Sequence, residues 1–166
     1  MDGPLKNLLV VDLTRVLVGP YCTMMLSDMG ARVIKVEAPG IGDDSRKFGP
    51  FVKDNSAYFM SLNRGKESIA LNLKDEEDKK IFLNVLSKAD ILVENFKPGT
   101  LEKWGFGWKD MCKKFPKLIY ASASGFGQTG PLKELPAYDM VVQGMGGLMS
   151  VTGQPNSEPT RVGTSI

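Results

Sequence analysis

The sequence predicts an α/β fold built on a largely parallel sheet, and three observations carry that prediction. First, residues 7–46 read as strand, loop, helix, strand, which is the spacing of one βαβ unit. Second, the apolar runs at residues 8–13 and 33–36 are nearly continuous rather than alternating, as expected of strands buried on both faces. Third, strand-like and helix-like segments alternate along the rest of the chain.

The first strand, residues 8–13, runs into a short loop at residues 14–19. Pro20 then opens a helix that stops at Gly30, and the second strand follows at residues 33–36. Residues 39–63 carry Gly40, Gly42, Gly49 and Pro50 among mixed polar and aromatic groups. They read as an irregular excursion, long for a loop. Asn63-Arg64-Gly65-Lys66 is a basic turn, and residues 68–73 alternate as a third strand.

Residues 74–89 make the clearest helix. Asp75, Glu76, Glu77 and Asp78 crowd its first turn, where the macrodipole favours acids. Ile81, Phe82, Val85, Leu86 and Ala89 recur at helical spacing as one apolar stripe. A short buried strand at residues 91–93 ends in Glu94-Asn95-Phe96, and Pro98-Gly99 breaks the chain. Two short surface helices at residues 100–105 and 108–115 precede a further strand at 118–122. The glycine-rich stretch 125–131 either turns a corner or brings backbone N–H groups close to something. Residues 136–153 read as a helix loosened by Gly144, Gly146 and Gly147, and a polar tail covers 154–166.

With 166 residues the chain fits one domain and is long enough to bury a core. A hydrophobic share of 42% and a charged share of 24% describe an ordinary soluble protein. A net charge of +2 is too small to imply a nucleic-acid partner or an anionic membrane surface, though it leaves room for a local basic patch. No apolar run approaches the roughly 20 residues of a membrane span, and no signal-peptide pattern opens the chain. A reducing, cytoplasmic setting is the expectation. Cys22 and Cys112 lie far apart, and Cys22 reads as a small buried residue of the first helix. The chain has no histidine, which removes Ser-His-Asp and Cys-His catalysis and nearly all zinc chemistry, so no metal is expected. Any acid, base or nucleophile must be a carboxylate, Lys, Tyr, Ser or Cys. Parallel sheets bind ligands beyond their strand C-termini, beside helix N-termini, so the loop at residues 14–20 is the first place to look for function.

Seven segments in order carry a resemblance: VVDLTRVLVGPYCTMML with GARVIKVE, GDDSR, NRGKESIALNLK, ADILVENFKPG, IYASASGFGQTGP and AYDMVVQGMGGLMSVTG. Together they resemble the class III CoA-transferases, the family of formyl-CoA transferase, carnitine CoA-transferase and α-methylacyl-CoA racemase. The likeness is greatest to the branch that moves CoA between dicarboxylates, as in succinyl-CoA:glutarate transferase. The resemblance implies a Rossmann-like fold, with helices on both faces of a mostly parallel sheet, forming the N-terminal part of the large domain. Residues 1–153 would be the CoA-binding domain and 154–166 the start of a connection to further catalytic parts. Arg15, Val16, Leu17 and Val18 would wrap the pantetheine arm, largely through backbone groups. Leu71 and Lys74 would hold the adenosine end, and Asn95 and Phe96 would line the thioester end. Lys103 matches a basic residue that meets the nucleotide phosphates, which suit Lys and Arg. The partners implied are an acyl-CoA, a small carboxylic acid and a second copy of the chain in an interlocked homodimer. Coenzyme A serves as substrate and product, in the mitochondrial matrix if the parent is eukaryotic.

Departures from the family pattern matter too. Some members carry a basic residue where Ala38 stands, so one phosphate contact is either lost or supplied by Arg46. Leu17 stands where formyl-CoA transferase has Gln, which disfavours a formyl or oxalyl substrate. Tyr138 replaces the histidine of the racemases and cannot shuttle protons at a phenolic pKa near 10. In the family, segments like RVGTSI are followed by Gly-Asp, and that Asp is the nucleophile. None of Asp12, Asp43, Asp44 or Asp139 has a geometric case to replace it, so the expected catalytic Asp falls just after Ile166 and the chain reads as a fragment. The alternative is a stand-alone CoA- or nucleotide-binding module. A nicotinamide site fails because the loop at residues 14–20 holds one glycine rather than GxGxxG, although Glu37 sits where a ribose-binding acid would.

Overall fold

The first elements are β1 (Leu9–Asp12), α1 (Val18–Asp28) and β2 (Arg32–Glu37). A short hairpin follows, β3 (Phe51–Val52) with β4 (Asn55–Ser56), then α2 (Ala57–Asn63) and β5 (Glu67–Ala70). Next come α3 (Glu76–Leu86), β6 (Ile91–Glu94), α4 (Thr100–Trp104), α5 (Trp108–Lys114) and β7 (Ile119–Ser122). This computed structural model describes residues 3–164, and the chain falls into two units, Met1–Ala123 and Ser124–Ile166. The second unit holds α6 (Asp139–Met145) and a 3-10 turn at Leu148–Val151.

Five strands of the first unit form one parallel sheet in the order β5-β2-β1-β6-β7. The chain winds outward from β1 in one direction through β2 and β5, then returns to wind the other way through β6 and β7. The switch point therefore lies between β1 and β6. Successive residues of the central strand enter opposite layers. Val11 and Leu13 join Phe82 and Leu86 of α3, Leu101 of α4 and Met111 of α5. Val10 joins Val33, Val93 and the partly buried Leu26 of α1 on the other face. The expected parallel sheet, with helices on both faces, is what forms. Among the described residues no helix is long and apolar enough to cross a membrane.

Several local expectations need correction. Residues 39–63 are not irregular throughout: they contain a 3-10 turn at Asp44–Lys47, the β3–β4 hairpin and α2, whose Ser56 cap accepts a bond from the Phe59 amide. Helix α1 begins two residues ahead of Pro20, and β5 ends at Ala70, short of Leu71 and Leu73. Helix α3 is capped by Asp75, whose carboxylate accepts from the amides of Glu77 and Asp78, and its apolar stripe narrows because Ile81 is 46% exposed. The helix read at 136–153 breaks at Gly147, where φ is +77°. Cys22 is exposed rather than buried, because α1 buries Gly19, Pro20, Thr23, Met24 and Ser27 and turns Tyr21, Cys22 and Met25 outward. Gly19 has no substitute there: a Cβ would stand 2.3 Å from the side chain of Thr14.

In the second unit, Gln143 is 1% exposed and anchors the segment beside it. Its Oε1 accepts from the Val162 amide at 3.0 Å, while Nε2 donates to Asp139 at 2.7 Å. Tyr138, Met145 and Val151 of this unit are strongly exposed.

Candidate functional site

A cleft of about 460 Å³ opens at the C-terminal edge of the sheet, within the range of small-molecule sites. Its walls are Leu13, Thr14 and Arg15 after β1, Ala38, Ile41 and Asp43 after β2, the stretch 71–74 after β5, and Phe96 after β6. Trp104 of α4 closes one side, with the Lys74 ammonium 6.0 Å from its ring centroid. The Arg15 guanidinium lies at the rim, 5.6 Å from the Phe96 ring centroid and 3.1 Å from the Asp44 carboxylate.

Beneath this cleft the strand ends are paved with buried charge. Asp12 is fully buried: one of its oxygens accepts from the Thr14 amide and hydroxyl, the other from the Thr23 hydroxyl and the Lys66 ammonium at 2.9 Å. Lys66 also donates to the Pro20 carbonyl and to Asn63, so all three of its protons are used. Burial pushes the Lys66 ammonium down, and Asp12 opposes that. Lys35 sits on a buried strand and meets Asp43 at 2.9 Å. Burial pushes the Asp43 carboxyl up, but the Ser45 hydroxyl and Lys35 outweigh it, and the net shift is downward.

Glu37 ends β2, and Arg46 holds it through two parallel bonds of 2.8 and 2.7 Å; Ser68 and the Asp43 amide supply two more. Burial opposes ionisation here too, but those donors prevail and bring the carboxyl to about 2. Both oxygens are occupied, which leaves none for a ribose and closes the nicotinamide reading on a structural ground. Arg46 is equally committed: its guanidinium pairs with Glu37 and stacks 3.8 Å over the Phe59 ring. A phosphate contact from Arg46 would therefore have to share a guanidinium already paired with Glu37.

Glu94, at the end of β6, is 5% exposed and accepts from the Phe96 amide at 2.8 Å. Burial raises its pKa against the pull of Ser122 and that amide, and the Glu102 charge adds to the rise. The neighbouring residue, Asn95, spans the gap to the first loop. Its side-chain oxygen accepts from the Arg15 amide and its nitrogen donates to the Arg15 carbonyl, both at 2.8 Å.

Of the residues singled out in the sequence, Arg15, Leu71, Lys74 and Phe96 line the cleft together. Val16 stands behind it with its amide turned to Asp43, Leu17 precedes the first turn of α1, and Val18 opens that helix at 61% exposure. Asn95 acts on the Arg15 backbone, and Lys103 is exposed on α4, where the next residue, Trp104, reaches the cleft. Sequence reasoning missed Lys35 and Trp104 and weighed Asp43 only as a nucleophile. Lys35 left a signal, since a lysine inside a run of buried strand residues needs a partner. Among the described residues no cluster of three or more Cys, Asp or Glu side chains is placed to hold a metal ion.

The profile of CoA-transferase family III matches residues 5–166. The acetyl-CoA:oxalate CoA-transferase of Acetobacter aceti is 59% identical over 161 residues, covering 97% of this chain and 41% of the relative. The succinyl-CoA:glutarate CoA-transferase of Mus musculus is 47% identical over 164 residues, covering 98% of this chain and 38% of the relative. A crystal structure of a CAIB/BAIF family protein from Brucella suis superposes with a TM-score of 0.93 at 44% identity, covering 99% of this chain and 45% of that one. The chain thus spans about two fifths of the length of the curated relatives it matches.

Proposed function

The chain belongs to CoA-transferase family III, and on that premise we propose that it is the CoA-binding part of an enzyme that moves CoA from an acyl-CoA to a carboxylic acid. The observation that supports this most is the cleft itself, where Arg15, Leu71, Lys74 and Phe96 converge at the C-terminal edge of a parallel sheet. Its apolar walls suit the pantetheine arm. The Arg15 and Val16 amides are already held by Asn95 and Asp43, so the loop of Arg15, Val16, Leu17 and Val18 would meet the arm's N–H groups through its carbonyls. Lys74 and Lys103 supply charge for the phosphates at the nucleotide end, and Asn95 and Phe96 lie toward the thioester. The relatives named for oxalate and glutarate favour a small dicarboxylate as acceptor, and the oxalate-named one counts against the use of Leu17 to disfavour an oxalyl substrate.

In this reading a carboxylate attacks the acyl-CoA thioester, the C–S bond breaks, and a mixed anhydride and the CoA thiolate form. The thiolate then attacks the aspartyl carbonyl of the anhydride, releasing the donor acid and leaving an enzyme-CoA thioester. The acceptor acid repeats the exchange in reverse and leaves as its CoA ester. We assign no nucleophile within residues 1–166; the reading puts the catalytic Asp just after Ile166, beyond the connection at 154–166. It also takes the full protein to be a homodimer in the cytoplasm or the mitochondrial matrix.

Calorimetric titration of CoA into the folded chain tests the binding step. One site is expected, weakened about tenfold by Lys74→Ala through loss of a charge-assisted phosphate contact. A folded sample that gives no heat with CoA overturns the assignment.

A further inference from the structure

Lys35 places an ammonium group in the middle of a buried strand at 2% exposure. It meets Asp43 Oδ2 at 2.9 Å and donates to the Thr14 carbonyl at 2.7 Å. The other oxygen of Asp43 accepts from the Val16 amide at 3.2 Å, as well as from the Ser45 amide and hydroxyl. A single ion pair therefore grips the first loop at two points, one carbonyl and one amide, on either side of Arg15. The residue it grips is unusual: Val16 has φ +70°, a left-handed conformation that a β-branched side chain resists. Such a conformation persists only where surrounding contacts over-determine it. Charges this buried add little stability over apolar residues of the same volume, whereas their hydrogen bonds fix specific backbone groups.

We infer that the buried Lys35–Asp43 pair is a positioning device, holding Val16 left-handed so that Thr14 and Arg15 form the wall of the cleft. The inference rests on the CoA reading only for its choice of binding probe.

Two readouts test it. Asp43→Ala is expected to speed deuterium exchange in the peptide covering residues 13–18, while peptides of β2 keep their protection. It is also expected to weaken CoA binding about tenfold. Adding Val16→Gly, which adopts positive φ without steric cost, restores affinity to within about threefold of the unaltered chain and leaves the melting temperature low. A residue that served only packing would lower the melting temperature and gain nothing from the glycine. Unchanged exchange in residues 13–18, or an affinity loss that Val16→Gly does not repair, overturns the inference. If Asp43→Ala does not fold, Lys35→Met/Asp43→Ala removes both charges and is read in the same way. Failure of the unaltered chain to bind CoA sinks the ligand assignment, while the exchange comparison still decides the positioning role.

Discussion

Asp12 and Glu94 end neighbouring strands at one edge of the sheet, and both are buried. Each folds back to accept the backbone amide two residues on, Thr14 in one case and Phe96 in the other. Asp12 does this against the ammonium of Lys66, whereas no ion pair of Glu94 exists among the described residues. One carboxylate is compensated by an ion pair; the other is driven toward its protonated form by burial. Glu37, on the far side of β1, sides with Asp12 through Arg46. Asp12 and Glu94 thus tie down the first turn of a loop with and without an ion pair, and the compensated Glu37 and the uncompensated Glu94 have opposite consequences for pH dependence.

The largest expected effect comes from breaking the compensated member. Lys66→Met strands the Asp12 charge in the core and should cost about 3–5 kcal/mol of unfolding free energy, read from the urea midpoint. A loss below about 1 kcal/mol would show that the hydroxyls of Thr14 and Thr23 suffice for Asp12 and would erase the contrast.

A middle-sized effect lies in acid. The Glu37 carboxyl falls from an ordinary 4.5 to about 2, so its contribution is complete above the unfolded value and disappears as pH drops from 4.5 toward 2. Arg46 is partly exposed, which screens the pair and limits the contribution to about 1–2 kcal/mol. Glu37→Gln should flatten this acid limb in melting curves taken across that window. A limb of unchanged slope would assign the acid sensitivity to other groups.

The smallest effect has the opposite sign. Because the folded pKa of Glu94 is raised, stability falls as pH rises from its unfolded value through the folded one. Glu94→Gln keeps an acceptor for the Phe96 amide and removes the buried charge. It should raise the melting temperature at neutral pH by about 2–4 °C and change little below the unfolded pKa. A lower melting temperature at neutral pH would mean that the carboxylate is compensated after all.

The sheet was legible in the sequence because burial on both faces writes itself as nearly continuous apolar runs at β1, β2 and β6. The loop after β1 was legible as a wall of the cleft because the C-terminal edge of a parallel sheet follows from strand direction alone. The polar floor was not, since Lys66 meets Asp12 across 54 positions and Lys35 meets Thr14 across 21. Such pairings exist only once the sheet has assembled. Cys22 was misread for a related reason: α1 buries Thr23 because Asp12 needs its hydroxyl, which overrides the apolar preference that would have turned Tyr21 and Met25 inward. The excursion after β2 hid its hairpin because strands of two residues carry no measurable alternation.

Asn95 bears on where a ligand has room to enter. In doubly wound sheets the crevice at the switch point is open because the loops on its two sides diverge to opposite faces. Here the ladder between β1 and β6 runs on past its last regular bond, from the Leu13 amide to the Val93 carbonyl at 2.8 Å. One side-chain amide then stands in for the next peptide unit and holds the Arg15 backbone by both its groups. The seam between the two halves is stitched shut where it would otherwise gape. The cleft thus opens beside a closed seam, walled by residues that follow β1, β2, β5 and β6.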